Sequence, residues 1–355
     1  MTIESYTNSC LSCFRRCPRE FDLRYRQQLE RAGDDREVLQ VGTTWHKAHD
    51  AASKKAQAIH PPDPFQVRGD PACDLAAYQV IREHAPGAKW NEKLRRLFAA
   101  YRWKWANHDL KIVESEHQFD YLDEYGKRRR GQIDGIVEID GAVGNLERKT
   151  SSEDLDDGST FWQRQRMGSQ VSIYANAFKA LTGTAPAFTL YDVVRKPTIR
   201  VKSIVKKDMT RLRAELTTGG SATYFGETFD EQEVEAVLAD GRESLSFYGA
   251  RLTADIGDRP DWYFARKMVP RTTLDLDLSE NDTALTISMI ETVAKWSHLK
   301  STLPTWPRNP DACATFGTCD FFGLCSNGEY PQAGTTPEGF ARRDVLHPEL
   351  QEFTE

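Results

Sequence analysis

The sequence contains no long apolar run and no marked excess of charge of either sign. None of its 355 residues falls in an uninterrupted apolar stretch of about 18, the length that a transmembrane helix needs. The first ten residues, MTIESYTNSC, lack the basic-then-apolar pattern of a secretion signal. We therefore expect a cytoplasmic protein without a membrane partner, in a reducing compartment where clustered cysteines bind metal more often than they form disulfides.

A net charge of −6 does not by itself favour a nucleic-acid-binding protein. The basic residues are nevertheless unevenly distributed: residues 127–130 read KRRR, and a second basic stretch runs through residues 195–213. Because salt screens charges beyond about 10 Å, a local basic groove can hold phosphates on an acidic protein. The alternative is that both stretches are solvated loops, and charge alone leaves this choice open.

The composition, with 39% apolar residues, eight Trp and 17 Phe, predicts a buried core rather than a disordered chain. Apolar periodicity predicts helices first, then a sheet with a crossing helix, then more helices. The predicted helical segments are 8–31 (broken at Pro18), 42–59, 73–107 (broken at Pro86-Gly87), 161–182 and most of 206–300, apart from a loop at 255–280. The predicted strands are 112–122, two in 131–150, 188–194 and a further candidate at 199–205.

The segment 131–150, GQIDGIVEIDGAVGNLERKT, predicts a β-hairpin that brings charged side chains together. Asp140-Gly141 is a strong signal for a two-residue turn, because both central positions of a type I′ turn need a positive φ. With that turn, Asp134 faces Glu147 across the ladder, and their Cβ atoms are expected about 4.5–5.5 Å apart. Lys149 follows Glu147 on the same face of the strand.

Two facing carboxylates repel each other, and a divalent cation removes that conflict. Hard oxygen ligands suit Mg²⁺ or Mn²⁺, which can polarise a phosphodiester and lower the pKa of a bound water. Lys149 would then orient the attacking water or offset charge that develops on the phosphate oxygens. The alternative is a solvent-exposed ion cluster of Asp134, Glu147 and Lys149 without catalytic meaning.

An aspartate followed by Glu-x-Lys resembles the PD-(D/E)XK nuclease superfamily, and further segments resemble its RecB-like exonuclease branch. GTTWHKAHD (42–50) resembles the early histidine motif of that branch, which points to His46 rather than His49 one turn later. Glu116 resembles the acidic residue one strand before the aspartate. Gln170 and Tyr174, in GSQVSIYANAF (168–178), resemble its Gln-x-x-x-Tyr motif.

This resemblance implies an α/β fold with a restriction-endonuclease-like central mixed sheet, flanked by helices and extended by additional helical segments. It implies a Mg²⁺- or Mn²⁺-dependent DNA exonuclease acting on single strands or ends, in repair, recombination or phage and defence DNA processing, with a helicase or recombinase as a further partner. His46, Asp134 and Glu147 would hold the metal, Lys149 would be the catalytic lysine, and Gln170, Tyr174 and Glu116 would position the substrate. Two rivals are a non-catalytic DNA-binding recombination subunit and a restriction-type endonuclease.

Seven cysteines include three near each end of the chain. Cys313, Cys319 and Cys325 can provide three of the four thiolate ligands that a zinc site or an iron–sulfur cluster needs. A cysteine of the early segment CLSCFRRCPREF (10–21) can provide the fourth ligand. AddB-type helicase-nucleases and CRISPR-associated RecB-like exonucleases resemble this arrangement, which implies a [4Fe–4S] cluster whose early ligand precedes a proline, here Cys17. The late spacing C-x5-C-x5-C departs from the C-x2-C-x5-C of that branch.

A zinc site with the same four ligands is the alternative to the cluster. Cys10 and Cys13 share a helical stripe with Cys17 and could substitute for it, although free cysteine also packs as a small hydrophobe. We interpret Cys73 as structural. The expected organisation is one nuclease domain over 1–330, with helical elaborations at 73–107 and 206–300 and a cysteine-rich segment at 305–325. A flexible tail is expected at 331–355.

Overall fold

The computed structural model of the chain describes residues 3–33, 37–59, 70–108, 110–297, 306–315, 317–331, 334–347 and 350. A π-helical turn, Asp22–Arg26, and a 3₁₀ turn, Pro310–Ala312, accompany the elements below. The helices are α1 Asn8–Arg16, α2 Pro18–Phe21, α3 Glu37–Ile59, α4 Pro71–His84, α5 Ala88–Lys104, α6 Thr160–Met167, α7 Ser169–Thr182, α8 Lys206–Gly219, α9 Glu231–Asp240, α10 Leu245–Asp258, α11 Pro260–Tyr263, α12 Thr273–Ser297 and α13 Phe322–Ser326. The strands are β1 Leu29–Arg31, β2 Lys111–Leu122, β3 Arg128–Ile139, β4 Ala142–Ser151, β5 Thr189–Arg195, β6 Ser221–Tyr224, β7 Glu227–Asp230, β8 Phe264–Val269 and β9 Phe340–Arg342.

A five-stranded mixed sheet in the order β2-β3-β4-β5-β8 forms the centre of the molecule. The pairings are antiparallel except for β4 with β5, which is parallel because α6 and α7 carry the chain back across the sheet. This α/β architecture confirms the predicted fold class.

The two faces of the sheet pack against different helices, as alternate residues of β5 demonstrate. Tyr191 and Val193 pack with Trp162 of α6 and Val171 of α7. Val194 points the other way, into the largest core, which α3, α4, α5, α10 and α11 build. Side chains of a strand alternate between faces, so neighbouring functional residues on β4 are also divided between these two layers.

The predicted hairpin has the predicted turn and register. Asp140 and Gly141 have φ values of 52° and 78°, and Ile139 pairs with Ala142. The same register continues to Gly135 opposite Leu146, where the pairing of β3 with β4 ends, and Asp134 and Glu147 come directly after this last pair.

Two long predicted helices are divided or redefined in the structure. The segment 161–182 forms α6 and α7, with Gly168 extended between them. Arg271 explains this break, because its guanidinium donates to the carbonyls of Gln165 and Gly168 and satisfies the end of α6. Helix α3 begins at Glu37 and passes through Gly42, where the sequence had predicted its start.

Three strand assignments differ from the sequence-based prediction. Phe264–Val269, inside the predicted loop 255–280, forms the edge strand β8 of the central sheet. The candidate strand 199–205 contributes only an isolated bridge from Ser203. Strands β6 and β7 form a hairpin within the segment predicted as mostly helical, and it closes a small core with α8, α9 and α10.

The two ends of the described chain meet. Strand β1, predicted as helix, pairs with β9 from the segment expected to be a loose tail. His347 is buried, and its Nε2 lies 3.0 Å from the carbonyl of Ser5. Residues 334–347 therefore pack on the domain, whereas 332–333, 348–349 and 351–355 lie outside the described residues. Among the helices that the structure describes, none has the length and apolar character to cross a membrane.

Candidate active site

His46 on α3, Glu116 on β2 and Asp134 on β3 converge on one point. One ligand atom from each lies within 4.8 Å of the other two, and His46 Nδ1 is 3.5 Å from Asp134 Oδ1. The three side chains line a cavity of about 340 Å³ that also has Tyr174 and the start of α1 in its wall. Sequence reasoning predicted His46 and Asp134 as metal ligands but assigned Glu116 to substrate positioning.

Asp134 is held by the strand beside it. The main-chain N–H of Arg148 donates to Asp134 Oδ2 at 2.6 Å, and the Arg148 guanidinium donates to the Asp134 carbonyl at 3.2 Å. Burial alone would raise the pKa of Asp134, but His46, Lys149 and the Arg148 N–H outweigh it and lower that pKa. Burial likewise opposes the charged form of His46, yet Asp134 raises the pKa of the imidazole. These two shifts favour an ionised Asp134 carboxylate beside a protonated His46 imidazole.

Glu116 reaches the cavity through an unusual backbone conformation. Its φ is 56°, in the left-handed region that non-glycine residues rarely adopt. The register of β2 against β3 shifts between Ile112 and Glu114, just before it. The Gln132 amide donates to its carboxylate. Burial and the nearby Asp134 raise the pKa of Glu116 to about 8, and the charges of Arg148 and His46 offset this shift only in part.

Glu147 and Lys149 form a second group that continues onto α7. Lys149 Nζ lies 2.5 Å from Glu147 Oε1 and donates to Gln170 Oε1 at 2.9 Å, and the Gln170 amide donates to the Tyr174 hydroxyl at 3.2 Å. Burial raises the pKa of Glu147 to about 7 despite Lys149. Burial opposes the charged form of Lys149, but Glu147 and Asp134 raise its pKa. This chain joins four of the residues predicted for catalysis or substrate positioning.

His49, the alternative to His46, lies away from the cavity in an aromatic cage. Its ring centroid is 4.7 Å from that of Trp45, 5.2 Å from that of Phe98 and 4.5 Å from that of Tyr101. Burial, helped by the charge of Arg148, lowers the pKa of His49 well below its usual value, which keeps the ring neutral. His49 therefore packs behind the site rather than within it.

The donor set fits a hard divalent cation. One imidazole and two carboxylates converge in the cavity, and the Oε2 atom of Glu147 is buried without a hydrogen-bond partner among the described residues. Carboxylate oxygens with an imidazole suit Mg²⁺ or Mn²⁺. Glu147 does not belong to the tight group of three, and Asp50, which lines the same cavity, also has a buried carboxylate oxygen without a hydrogen-bond partner among the described residues.

The basic run 127–130 is not an open phosphate groove. Lys127 pairs with Glu291, Arg129 is buried against Asp123 and Glu280, and Arg128 and Arg130 share Asp120. The four basic side chains of this run form ion pairs with carboxylates of the protein itself. The number of basic residues in the run therefore does not indicate a phosphate-binding surface. In the second stretch, Arg195 pairs with Asp154 and Arg211 with Glu215.

The early and late cysteines approach each other around Asn309. The Asn309 N–H donates to Cys17 Sγ at 3.4 Å, and the Cys313 thiol lies 3.7 Å from the Asn309 carbonyl. Burial raises the pKa of Cys325, and Cys17 and Cys313 add to that shift as neighbours. Cys319 packs with the apolar group around Phe321, and the nearby Cys325 contributes to raising the pKa of Cys319. The four predicted ligands therefore share one region of the fold.

Cys10 and Cys13 differ from Cys17 in their surroundings. Both are buried in an apolar cluster with Phe14, Phe21 and Trp306. Burial raises the pKa of Cys13 to about 12, and it also raises the pKa of Cys319, a predicted ligand, to about 11. Cys73 is fully buried in the core of α3, α4 and α5.

The sequence matches a known family over most of its length. The model of the PD-(D/E)XK nuclease superfamily matches residues 5–325. The chain belongs to the PD-(D/E)XK nuclease superfamily. Membership of this superfamily suggests a metal-dependent nuclease that acts on DNA, in agreement with the group of His46, Glu116 and Asp134.

Other comparisons add little to the superfamily assignment. No curated protein matches the sequence. One similar solved structure, described as "Crystal structure of SSO0001", has 14% sequence identity and a TM-score of 0.23. That match covers 61% of this chain and 77% of the other, and at this TM-score it carries no argument.

Proposed function

We propose that this PD-(D/E)XK protein is a DNA exonuclease of the RecB-like branch, acting on single strands or DNA ends. The observation that carries the proposal is that two groups meet beside one cavity: His46, Glu116 and Asp134 on one side, and the chain from Glu147 to Tyr174 on the other. Polar groups that converge in a cavity with shifted pKa values are characteristic of a catalytic site.

His46, Glu116 and Asp134 would hold a Mg²⁺ or Mn²⁺ ion, with Glu147 as an additional carboxylate ligand. When bound, such an ion polarises the phosphodiester and lowers the pKa of water. The protein contributes the placement of its ligands. Arg148 fixes Asp134 from the main chain, so that carboxylate needs no reorganisation when substrate arrives.

Lys149 would orient the attacking water and offset charge on the phosphate oxygens. Its ammonium is held between Glu147 and Gln170, so its position is fixed before substrate binds. Glu147 keeps the ammonium charged and, with a pKa raised to about 7, can accept a proton near neutral pH.

Gln170 and Tyr174 would position the DNA. Both lie on one face of α7, and the Tyr174 hydroxyl stands in the cavity wall opposite the first turn of α1. The start of a helix attracts anions, which suits a strand whose phosphates pass through the cavity.

Cys17, Cys313, Cys319 and Cys325 would hold a [4Fe–4S] cluster. The contacts of Cys17 and Cys313 with Asn309, and the proximity of Cys325 to both, support this assignment. A cluster there would fasten α1, which carries part of the cavity wall, to the late segment of the chain.

Cleavage of end-labelled single-stranded and double-stranded DNA, and of circular single-stranded DNA, tests the function with Mn²⁺ or Mg²⁺ added. An exonuclease degrades the linear substrates and leaves the circle intact. Cleavage of the circle would favour a restriction-type endonuclease, and binding without cleavage of any substrate would favour a non-catalytic recombination subunit. Substrates labelled at the 5′ or 3′ end report the polarity.

A further inference from the structure

A second groove lies between α1, the first turn of α7 and α12. It has a volume of about 570 Å³, and Arg15, Arg166 and Arg271 line it. We refer to it as the arginine groove. The catalytic residues described above do not line it, and no motif in the sequence marked these arginines.

Two of the arginines are held in place by neutral groups. Arg15 donates to the hydroxyls of Thr286 and Ser169, each at 3.1 Å. Arg271 donates to the Ser172 hydroxyl at 2.9 Å and to main-chain carbonyls at the end of α6. Hydroxyls and carbonyls orient a guanidinium without forming an ion pair with it.

Arg166 completes the set from the exposed end of α6. Within the described residues, none of the three guanidiniums lies within 4 Å of a carboxylate oxygen. Other arginines of this protein do, as the ion pair of Arg164 with Glu153 illustrates. Guanidiniums that share a groove and have no close ion pair are suited to phosphate oxygens, which they bind through charged hydrogen bonds.

Two carboxylates also line the arginine groove, and their contacts matter. Asp275 accepts hydrogen bonds from the N–H and hydroxyl of Thr272 at the start of α12, each at 2.8 Å. Asp282 interacts electrostatically with Arg15, Asp275 with Arg271, and Asp157, outside the groove lining, with Arg166, in each case without a close ion pair. The groove lining itself holds three arginines and two carboxylates, and α7 adds the positive end of its dipole, since no side chain caps it at Gly168.

The arginine groove and the active-site cavity share no lining residue, and the first turn of α7 lies between them. Ser169 and Ser172 of α7 contact Arg15 and Arg271, while Gln170, between them in sequence, contacts Lys149. A polymer bound at Lys149 therefore has the arginine groove within reach around the first turn of α7.

Four exposed apolar side chains also line the groove, those of Met167, Leu278, Leu285 and Met289. Met167 is 87% exposed, and Leu285 and Met289 of α12 are more than half exposed. Apolar side chains beside arginines suit a ligand that has both phosphates and unpaired bases or sugars. A duplex keeps its bases stacked inside, so a single strand fits this combination better.

We propose that the arginine groove binds the sugar-phosphate backbone of the DNA strand a few nucleotides from the bond that is cut. Arg15, Arg166 and Arg271 contact phosphates, and Met167 and the exposed face of α12 contact bases or sugars. This proposal rests on the proposed nuclease function and names the path of its substrate. An acidic peptide is the competing occupant, but the link through α7 to Lys149 favours the nucleic acid.

Fluorescence anisotropy of labelled dT20 with the full chain in EDTA, over a series of NaCl concentrations, tests the proposal. Arg166→Ala is the main variant because its side chain is exposed and bonds to no other described residue. Arg164→Ala is the matched control: it lies on the same helix, is exposed and changes the net charge equally, but it lies outside the groove. Arg15→Ala is a second variant.

Loss of one phosphate contact to a single strand lowers the salt slope by about 0.7, which corresponds to about fivefold weaker binding at 0.1 M NaCl. We expect this for Arg166→Ala and Arg15→Ala, and wild-type binding for Arg164→Ala. Equal affinities for dT20 and equal salt slopes for all four proteins would overturn the proposal. That result would indicate a protein partner as the occupant of the groove. Equal weakening by Arg164→Ala and Arg166→Ala would overturn it as well, since the effect would then be one of net charge.

The outcome is distinguishable from failure of the proposed nuclease function. Cleavage of dT20 in Mn²⁺ by the wild-type protein tests that function separately. If cleavage occurs, Arg166→Ala should raise the KM for dT20 and leave kcat unchanged, because the groove is remote from the reacting phosphate. A wild-type protein that binds DNA but does not cut it would refute the nuclease function, and the binding comparison would still decide the role of the groove.

Discussion

The main-chain N–H of Arg148 donates to Asp134 Oδ2 at 2.6 Å across neighbouring strands of the central sheet. Arg148, the middle residue of the Glu-x-Lys segment, thus positions Asp134 through its main-chain N–H. Glu147 and Lys149, on either side of it, contribute their side chains to the site. Arg148 itself is 1% exposed, and its guanidinium donates back to the Asp134 carbonyl. Four predictions about the site and the cysteines follow from such contacts.

The first concerns the charge of Asp134. Asp134→Asn preserves the shape of the side chain but removes the negative charge that faces His46. We expect cleavage to fall by at least about 100-fold, a loss typical of removing one electrostatic group from a catalytic site. Calorimetric titration with Mn²⁺ should detect weaker metal binding. Asp120→Asn is the control, since that exposed carboxylate of β2 pairs with Arg128. Wild-type cleavage by Asp134→Asn would contradict our assignment of the site.

The second concerns the pair of Lys149 with Glu147. Lys149→Met should reduce cleavage by about 100- to 1000-fold. It should also lower the free energy of unfolding by about 1–3 kcal/mol, because the buried carboxylate of Glu147 loses its partner. Urea unfolding measures the stability, with Lys111→Met as the control for an exposed ion pair.

A double variant separates the two effects of Lys149. Lys149→Met with Glu147→Gln removes the orphaned charge and should regain most of the stability without regaining activity. If the double variant cleaves DNA normally, Lys149 is only a structural partner of Glu147.

The third concerns the pH dependence of metal-free protein. Burial and Asp134 raise the pKa of Glu116 to about 8, above the value of about 4.5 expected in the unfolded chain. The folded state therefore holds the extra proton between these values, and the contribution of Glu116 to stability is lost as the pH rises through about 8. In EDTA, the melting temperature of the wild type should fall by a few degrees relative to Glu116→Gln between pH 5 and pH 8.5.

Divalent metal should reverse that trend, because a cation among the three side chains offsets the charge of an ionised Glu116. With Mn²⁺ at pH 8.5 the wild type should gain more thermal stability than Glu116→Gln gains. Parallel melting curves for the two proteins across the whole pH range would show that Glu116 titrates normally.

The fourth concerns the cysteines. Anaerobically purified protein should contain iron and sulfide at about four each per chain. Cys17→Ser should lose both, while Cys10→Ser and Cys13→Ser should keep them, because those two thiols pack in an apolar cluster. Cys73→Ser is a further control. Stoichiometric zinc without sulfide would replace the cluster with a zinc site.

The hairpin was predictable because its determinants are local. Asp140-Gly141 specifies the turn by its backbone preferences, and the turn fixes the register, so the facing of Asp134 and Glu147 follows by counting along the strands. The restriction-endonuclease-like sheet was expected from family resemblance, and the order of strands and helices agreed with it.

Features that depend on distant pairing were not predictable. Strand β8 is not recognisable from the sequence because Arg266 and Lys267 interrupt its pattern of alternating apolar residues. Arg266 is nevertheless buried, because it forms an ion pair with Asp192 across the sheet. The position of Glu116 beside His46 and Asp134 depends on a register shift and a left-handed residue, which propensities do not reveal. The arginine groove combines residues from α1, α6 and the segment before α12, so no local pattern marks it.

The left-handed backbone at Glu116 has a consequence for the evolution of this protein. A non-glycine residue held there costs about 1–3 kcal/mol of folding free energy. Glycine at position 116 would relieve that cost but would also remove the carboxylate from the cavity. A laboratory selection for thermal stability alone should therefore recover Glu116→Gly, and a selection that also demands DNA cleavage should reject it.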